Sequence, residues 1–115
     1  MVTLFGIKNC DTVKKARNWM DSNGIDYRFH DFRSDGLNVK QVSQWVQKIG
    51  LDEVLNKRSA TWKQISDTDK NYLLEGNDLT VIADNPTLIK RPVLEMSTEL
   101  LVGFNIDRYK NLFGL

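Results

Sequence analysis

The chain is poor in the residues that crosslink proteins or bind metals. Its 115 residues include one cysteine, Cys10, and one histidine, His30. One cysteine cannot form an intramolecular disulfide, and this pair cannot supply the cysteine- or histidine-rich ligand set of a zinc site. We therefore expect no metal site. A free thiol is typical of a reducing compartment, so we expect a cytoplasmic protein.

Long hydrophobic runs and an excess of charge are also missing. No run of 18 apolar residues is present, so we expect no transmembrane helix. The N-terminus lacks the apolar stretch of a secretory signal. A balance of 16 basic to 15 acidic residues removes any strong global case for nucleic-acid binding. A hydrophobic content of 41% can supply the core of one domain, which we expect to span residues 1–115 as a monomer.

The position of Cys10 is the most informative feature of the chain. The apolar run at residues 2–5 predicts a short strand at about residues 2–6, and a helical pattern runs from about Cys10 to Asn23. The sulfur therefore lies where the first backbone N–H groups of a helix have no intrahelical partner. The helix dipole favours an anion there, and Lys8 and Lys14 add positive charge, so the thiolate form is favoured.

A structural role for Cys10 is the alternative. Free cysteines are often small buried hydrophobes rather than nucleophiles. The neighbours Asn9, Asp11 and Thr12 are polar, which places Cys10 outside an apolar stretch, but the charge of Asp11 opposes thiolate formation. The local sequence leaves a reactive and a structural cysteine equally open.

The rest of the chain predicts an α/β fold. Alternating apolar and polar residues at 25–32 predict a second strand, and strand, helix and strand suit a right-handed crossover with parallel strands. Residues 92–96 and 100–104 predict two more strands, and Asn105 is the expected N-cap of a last helix. The order is βαβ…ββα, a four-stranded mixed sheet with an all-helical insertion at about 37–85.

Three segments carry a family resemblance. They are residues 5–16 (FGIKNCDTVKKA), 56–58 (NKR) and 88–93 (LIKRPV). Together they resemble the arsenate reductase (ArsC) family, in particular its small YffB branch, which is related to the Spx regulators. The resemblance covers nearly the whole chain and implies a thioredoxin-like fold, in which a cysteine opens the first helix and a proline opens the third strand.

The resemblance also implies residue roles. In the family, the cysteine is the nucleophile, and an arginine that precedes a cis proline helps to bind the anionic substrate. By position these roles fall on Cys10, Arg91 and Pro92, so we expect a cis Arg91–Pro92 bond. An arginine can grip an oxyanion or carboxylate at two points. Without this context, Arg91 would be interpreted as a surface ion-pair partner.

The chain differs from the glutaredoxin-linked arsenate reductases, which place three arginines around the cysteine. Only Arg91 has a clear match. The second arginine aligns with Asn56, leaving Arg58 or Lys57 as substitutes, and the third falls where the chain has no charge. A histidine near the cysteine in those enzymes falls on Gly6. These differences weaken the case for arsenate and leave a thiol-reactive site with a cationic rim.

The missing second cysteine determines the expected redox chemistry. Position 13 is valine, so the chain has no C-x-x-C pair and a catalytic cycle requires an external thiol. We expect glutathione as co-substrate, no bound cofactor, and a small oxyanion or disulfide as substrate. The candidate substrate-binding residues are Lys8, Thr12, Lys14, Arg58, Arg91 and Pro92. Thr12 either donates a hydrogen bond to the sulfur or only satisfies the helix start.

Two functions follow from these residues. The first is a glutathione-dependent thiol reductase that resembles arsenate reductase, with Cys10 as nucleophile and Arg91 stabilising the anion. The alternative is a non-enzymatic regulator that resembles Spx and contacts RNA polymerase. The redox switch of the Spx relatives uses a C-x-x-C pair that this chain lacks, so we rank the regulator second.

Overall fold

The computed structural model describes residues 2–75 and 78–115. The chain divides into two compact units. The first comprises Met1–Asp31 and Arg91–Leu115, and the second comprises Phe32–Lys90. The second unit includes the stretch for which a helical insertion was predicted, and each unit is described separately below.

The first unit contains a four-stranded mixed sheet. Its strands are β1 (Thr3–Gly6), β2 (Arg28–Asp31), β3 (Val93–Glu95) and β4 (Leu100–Val102). The spatial order is β2-β1-β3-β4. Strand β1 is parallel to β2 and antiparallel to β3, and β3 is antiparallel to β4. This is the thioredoxin-like arrangement expected from the sequence.

Two helices of this unit pack on the sheet through apolar stripes. In α1 (Asp11–Ser22), the buried residues recur at helical spacing, as predicted. In α7 (Ile106–Phe113), which Asn105 caps by accepting from the Arg108 N–H, the buried residue is Tyr109. The fully buried residues of the shared core are Leu4, Ala16, Met20, Leu94 and Tyr109.

The second unit consists of helices. They are α2 (Val39–Ile49), α3 (Leu51–Val54), α4 (Ala60–Gln64), α5 (Asp67–Leu74), α6 (Thr80–Asp84) and a 3₁₀ turn (Pro86–Leu88). Side-chain oxygens of Asn38, Ser59 and Ser66 cap α2, α4 and α5. None of the helices in the described residues is long and apolar enough to cross a membrane.

The observed strands are shorter than predicted, because turns take residues at their ends. The Ile25 N–H donates to the Met20 carbonyl at 3.0 Å and completes the exit from α1, so β2 begins only at Arg28. Gly103 has a φ of +76°, which ends β4 at Val102.

Candidate active site

Cys10 lies at the junction between the loop that follows β1 and the first turn of α1. Its backbone is extended, with φ −93° and ψ 125°, and it occupies the N-cap position. The Cys10 N–H donates to the Ile7 carbonyl at 3.1 Å, which closes the loop, and its carbonyl accepts from the Lys14 N–H at 3.0 Å. The half-buried sulfur is therefore held at the N-terminal end of a 12-residue helix.

The surroundings of the sulfur favour the thiolate. Burial by itself raises the pKa of Cys10, but the Val13 N–H, the Arg91 side chain and the Thr12 N–H all lower it, and the net pKa is lowered. The sulfur makes no cap hydrogen bond of ordinary geometry with α1, so these N–H groups act through looser contacts. Cys10 therefore carries more negative charge near neutral pH than a free thiol does.

The topology of the sheet explains why Arg91 reaches Cys10. Strand β3 runs antiparallel to β1 and pairs Val93 with Phe5, near the end of β1 that leads to Cys10. The chain therefore enters β3 at that end, and Arg91 comes just before it. The Arg91–Pro92 peptide bond is cis, as expected. The Arg91 guanidinium lowers the pKa of Cys10 both by hydrogen bonding and by its charge.

The guanidinium of Arg91 is only partly open to a ligand. Its Nε and Nη1 atoms are shielded from solvent and have no hydrogen-bond partner among the described residues. Two of the three guanidinium nitrogens thus make no hydrogen bond to the described residues. The two-point grip of an oxyanion or carboxylate by Arg91 stays a prediction.

The other residues proposed around Cys10 are mostly solvent-exposed. Lys8, Thr12 and Lys14 are exposed, while Pro92 is buried and its carbonyl accepts from the Gly103 N–H at 2.8 Å. Thr12 acts on the sulfur through its backbone N–H. The exposed side chains of Lys8, Thr12 and Lys14 are free to change rotamer when a ligand binds. Pro92 is instead fixed by burial and by its bond to Gly103.

Arg58 belongs to the second unit. Its backbone N–H donates to Asn56 Oδ1 at 3.1 Å, within the turn that leads to the cap of α4. The Arg58 side chain is exposed, and the neighbouring Lys57 places Nζ 3.9 Å from Asp52 Oδ1. A role for Arg58 in substrate binding stays a prediction.

The sequence pointed to the free N–H groups at the start of α1 without naming the one that acts most strongly, and it did not indicate the anchor of the loop before Cys10. The backbone N–H of Val13 is the largest of the groups that lower the Cys10 pKa. The Asp31 Oδ2 accepts from the Lys8 N–H at 3.2 Å, within the loop before Cys10. The second could have been inferred from the predicted parallel strands, because Asp31 ends the strand that lies beside β1.

The described residues contain no group of three or more His, Cys, Asp or Glu side chains that could hold a metal ion. His30, the single histidine, packs its ring against that of Phe5 with centroids 4.9 Å apart.

Comparisons with known proteins agree with this geometry. A YffB protein of known structure superposes with a TM-score of 0.90 at 37% identity, covering 96% of this chain and 97% of that chain. An uncharacterized protein of Haemophilus influenzae is 44% identical over 114 residues, which are 99% of this chain and 100% of that protein.

A regulator is also among the relatives. The global transcriptional regulator Spx of Staphylococcus aureus is 32% identical over 112 residues, which are 96% of this chain and 85% of the regulator. The model of the ArsC family matches residues 5–112, nearly the whole length. The chain therefore belongs to the ArsC family.

Proposed function

We propose that this protein is a glutathione-dependent thiol reductase that uses Cys10 as its nucleophile. One observation carries the proposal: the Val13 N–H, the Arg91 side chain and the Thr12 N–H all act on the sulfur of the only cysteine and lower its pKa. A lowered pKa supplies thiolate near neutral pH, and the thiolate is the form that attacks disulfides.

A single cysteine is sufficient for a cycle on a glutathione mixed disulfide. In the first step, the Cys10 thiolate attacks the glutathione sulfur, a Cys10–glutathione disulfide forms, and the substrate thiolate leaves and takes a proton from water. In the second step, a glutathione thiolate attacks the glutathione sulfur of the adduct. Oxidised glutathione leaves, and the Cys10 thiolate is restored. The substrate thiol is released in its reduced form, and the glutathione pool supplies the electrons.

The cations around Cys10 support an anionic co-substrate. Glutathione carries two carboxylates, and we propose that Arg91, Lys8 and Lys14 hold them, with Arg58 as a further candidate. A tetrahedral oxyanion needs several donors, and of the three arginines around the cysteine in the glutaredoxin-linked arsenate reductases only Arg91 has a clear match in this chain. We therefore propose a disulfide rather than arsenate as the preferred substrate. We further propose that the protein acts as a monomer in the reducing cytoplasm, where glutathione is available.

Intact mass spectrometry tests the proposal. After treatment with oxidised glutathione, the wild type should gain one glutathionyl group, and reduced glutathione should remove it. Cys10→Ser should gain none. Steady-state reduction of 2-hydroxyethyl disulfide by glutathione should require Cys10. A wild-type protein that gains no mass, under conditions that modify a control thiol, refutes the reductase.

A regulatory function is the second candidate, because 32% identity to Spx extends over 96% of this chain. In this alternative, the fold presents a surface to RNA polymerase and Cys10 performs no turnover. Affinity capture of purified RNA polymerase by the immobilised protein tests it, with Cys10→Ser as the matched control. Capture by both proteins, together with no reductase activity, would favour the regulator.

A further inference from the structure

Gly6, the last residue of β1, faces the first turn of α1 at very short range. A Cβ atom built on Gly6 would lie 2.7 Å from Val13 Cγ2 and 3.2 Å from Val13 Cγ1. Gly6 is not among the glycines with positive φ, so an L-residue could adopt its backbone conformation. Glycine is therefore required at this position for space.

Val13 has little freedom to move away from Gly6. Its side chain is completely buried, and a β-branched residue in a helix is largely restricted to one χ1 rotamer. Its backbone N–H is also the strongest of the groups that stabilise the thiolate of Cys10. The side chain of Val13 thus determines how near α1 lies to β1, while its backbone faces the sulfur.

We propose that Gly6 and Val13 are a positioning pair for the thiol of Cys10. The absence of a side chain at Gly6 lets Val13 pack against the end of β1. This contact holds the first turn of α1 where the Val13 and Thr12 N–H groups face the sulfur. The inference rests on the proposed function insofar as Cys10 is a reactive thiolate. The packing contact itself can be tested without turnover.

A double-mutant cycle tests the pair. The variants are Gly6→Ala, Val13→Ala and the double variant, and the readouts are urea unfolding and the pH midpoint of Cys10 alkylation by iodoacetamide. Gly6→Ala should move the midpoint upward and slow alkylation at neutral pH by at least about twofold, the change that corresponds to the weakest couplings between contacting residues. In the double variant, the removal of both Val13 Cγ atoms should restore the rate to within about twofold of the Val13→Ala variant.

Gly24→Ala is the matched control. Gly24 lies at the other end of α1 with a φ of +65°, and a Cβ there would meet nothing within 4 Å. This substitution should lower stability through backbone strain and leave the alkylation midpoint unchanged. It separates loss of stability from loss of thiol positioning.

The possible outcomes are distinct. An unchanged alkylation midpoint in folded Gly6→Ala overturns the proposal. So does a double variant whose changes in alkylation midpoint and unfolding free energy equal the sums of the changes in the two single variants. If Gly6→Ala fails to fold, a folded double variant supports the pair, and a double variant that also fails to fold overturns it. A wild-type midpoint at the value of a free thiol refutes the proposed function instead, while the coupling in unfolding free energy still tests the contact.

Discussion

The Lys8 backbone N–H donates to the Asp31 carboxylate across 3.2 Å. This bond joins the loop before Cys10 to the end of β2, where Asp31 is in register with Gly6 of the parallel strand β1. The loop that carries the sulfur is therefore anchored at one end by the helix and in its middle by the neighbouring strand.

Asp31 should stabilise this loop as a hydrogen-bond acceptor. Asp31→Ala removes the acceptor and should lower the free energy of unfolding by about 1–2 kcal/mol, whereas Asp31→Asn keeps an oxygen and should lose less. Urea denaturation of both variants measures the difference. The exposed Asp26→Ala serves as control and should stay within about 0.5 kcal/mol of the wild type. Equal stabilities of Asp31→Ala and Asp26→Ala would contradict the anchoring role.

The ionisation of Cys10 should occur at lower pH than that of a free thiol. Alkylation by iodoacetamide follows the thiolate fraction, so its rate should reach half of its plateau below about 8.5, the ordinary thiol pKa. The physical reason is that contacts with the Val13 N–H, Arg91 and the Thr12 N–H exceed the opposing effect of burial. A midpoint at or above 8.5 would show that the sulfur is not activated.

Protein stability should depend on pH through the same group. Because the folded pKa of Cys10 is lowered, the unfolded chain binds more protons between the folded pKa and about 8.5. The contribution of Cys10 to stability is therefore complete above the unfolded pKa and is lost as pH falls through the folded pKa. The wild type should gain stability relative to Cys10→Ser as pH rises through this interval. Urea unfolding of both proteins at pH 6 and pH 9 measures it, and a constant difference would contradict it.

Arg91 should contribute both a charge and a hydrogen bond to the thiolate. Arg91→Ala should raise the pKa of Cys10 and slow alkylation at neutral pH by roughly tenfold, which corresponds to a shift of about one pKa unit. Arg91→Lys should recover part of the rate, because an ammonium keeps the charge and loses the planar geometry.

The matched control for Arg91 is Arg28→Ala. Arg28 is exposed and begins β2 opposite Thr3, at the end of the sheet remote from Cys10. Its removal should leave the alkylation profile unchanged. If the two alanine variants alkylate alike, general loss of positive charge explains the effect and the specific contact is disproved.

The protein should be more stable when residue 109 lacks the tyrosine hydroxyl. The side chain is 1% exposed, its Oη has no hydrogen-bond partner among the described residues, and burial raises the pKa of the phenol. Tyr109→Phe keeps the edge-to-face contact with Trp19 and should increase the free energy of unfolding by about 1 kcal/mol. Tyr109→Ala should lower it by about 3–5 kcal/mol. Thermal unfolding distinguishes these changes, and a less stable Tyr109→Phe variant would reveal a partner for the hydroxyl.

Local signals in the sequence predicted most of the elements that carry Cys10. The helical pattern of α1, the cap at Asn105 and the position of Cys10 at a helix start depend on residues within one or two turns of each other. Such short-range interactions are visible in the sequence. The ends of β2 and β4 were predicted less well, because the turns at Gly24 and Gly103 compete with strand pairing.

The details of the site were decided by contacts between residues far apart in the chain. Cys10 and Arg91 could be paired before the structure only through the family resemblance, since their proximity depends on the antiparallel pairing of β3 with β1. The shielding of Arg91 Nε and Nη1, and the bond from Lys8 to Asp31, likewise exist only in the folded chain. The sequence by itself determined a thiol at a helix N-terminus in a thioredoxin-like fold. Only the tertiary structure decided which donors face that thiol, because donor direction depends on how strands and helices pack.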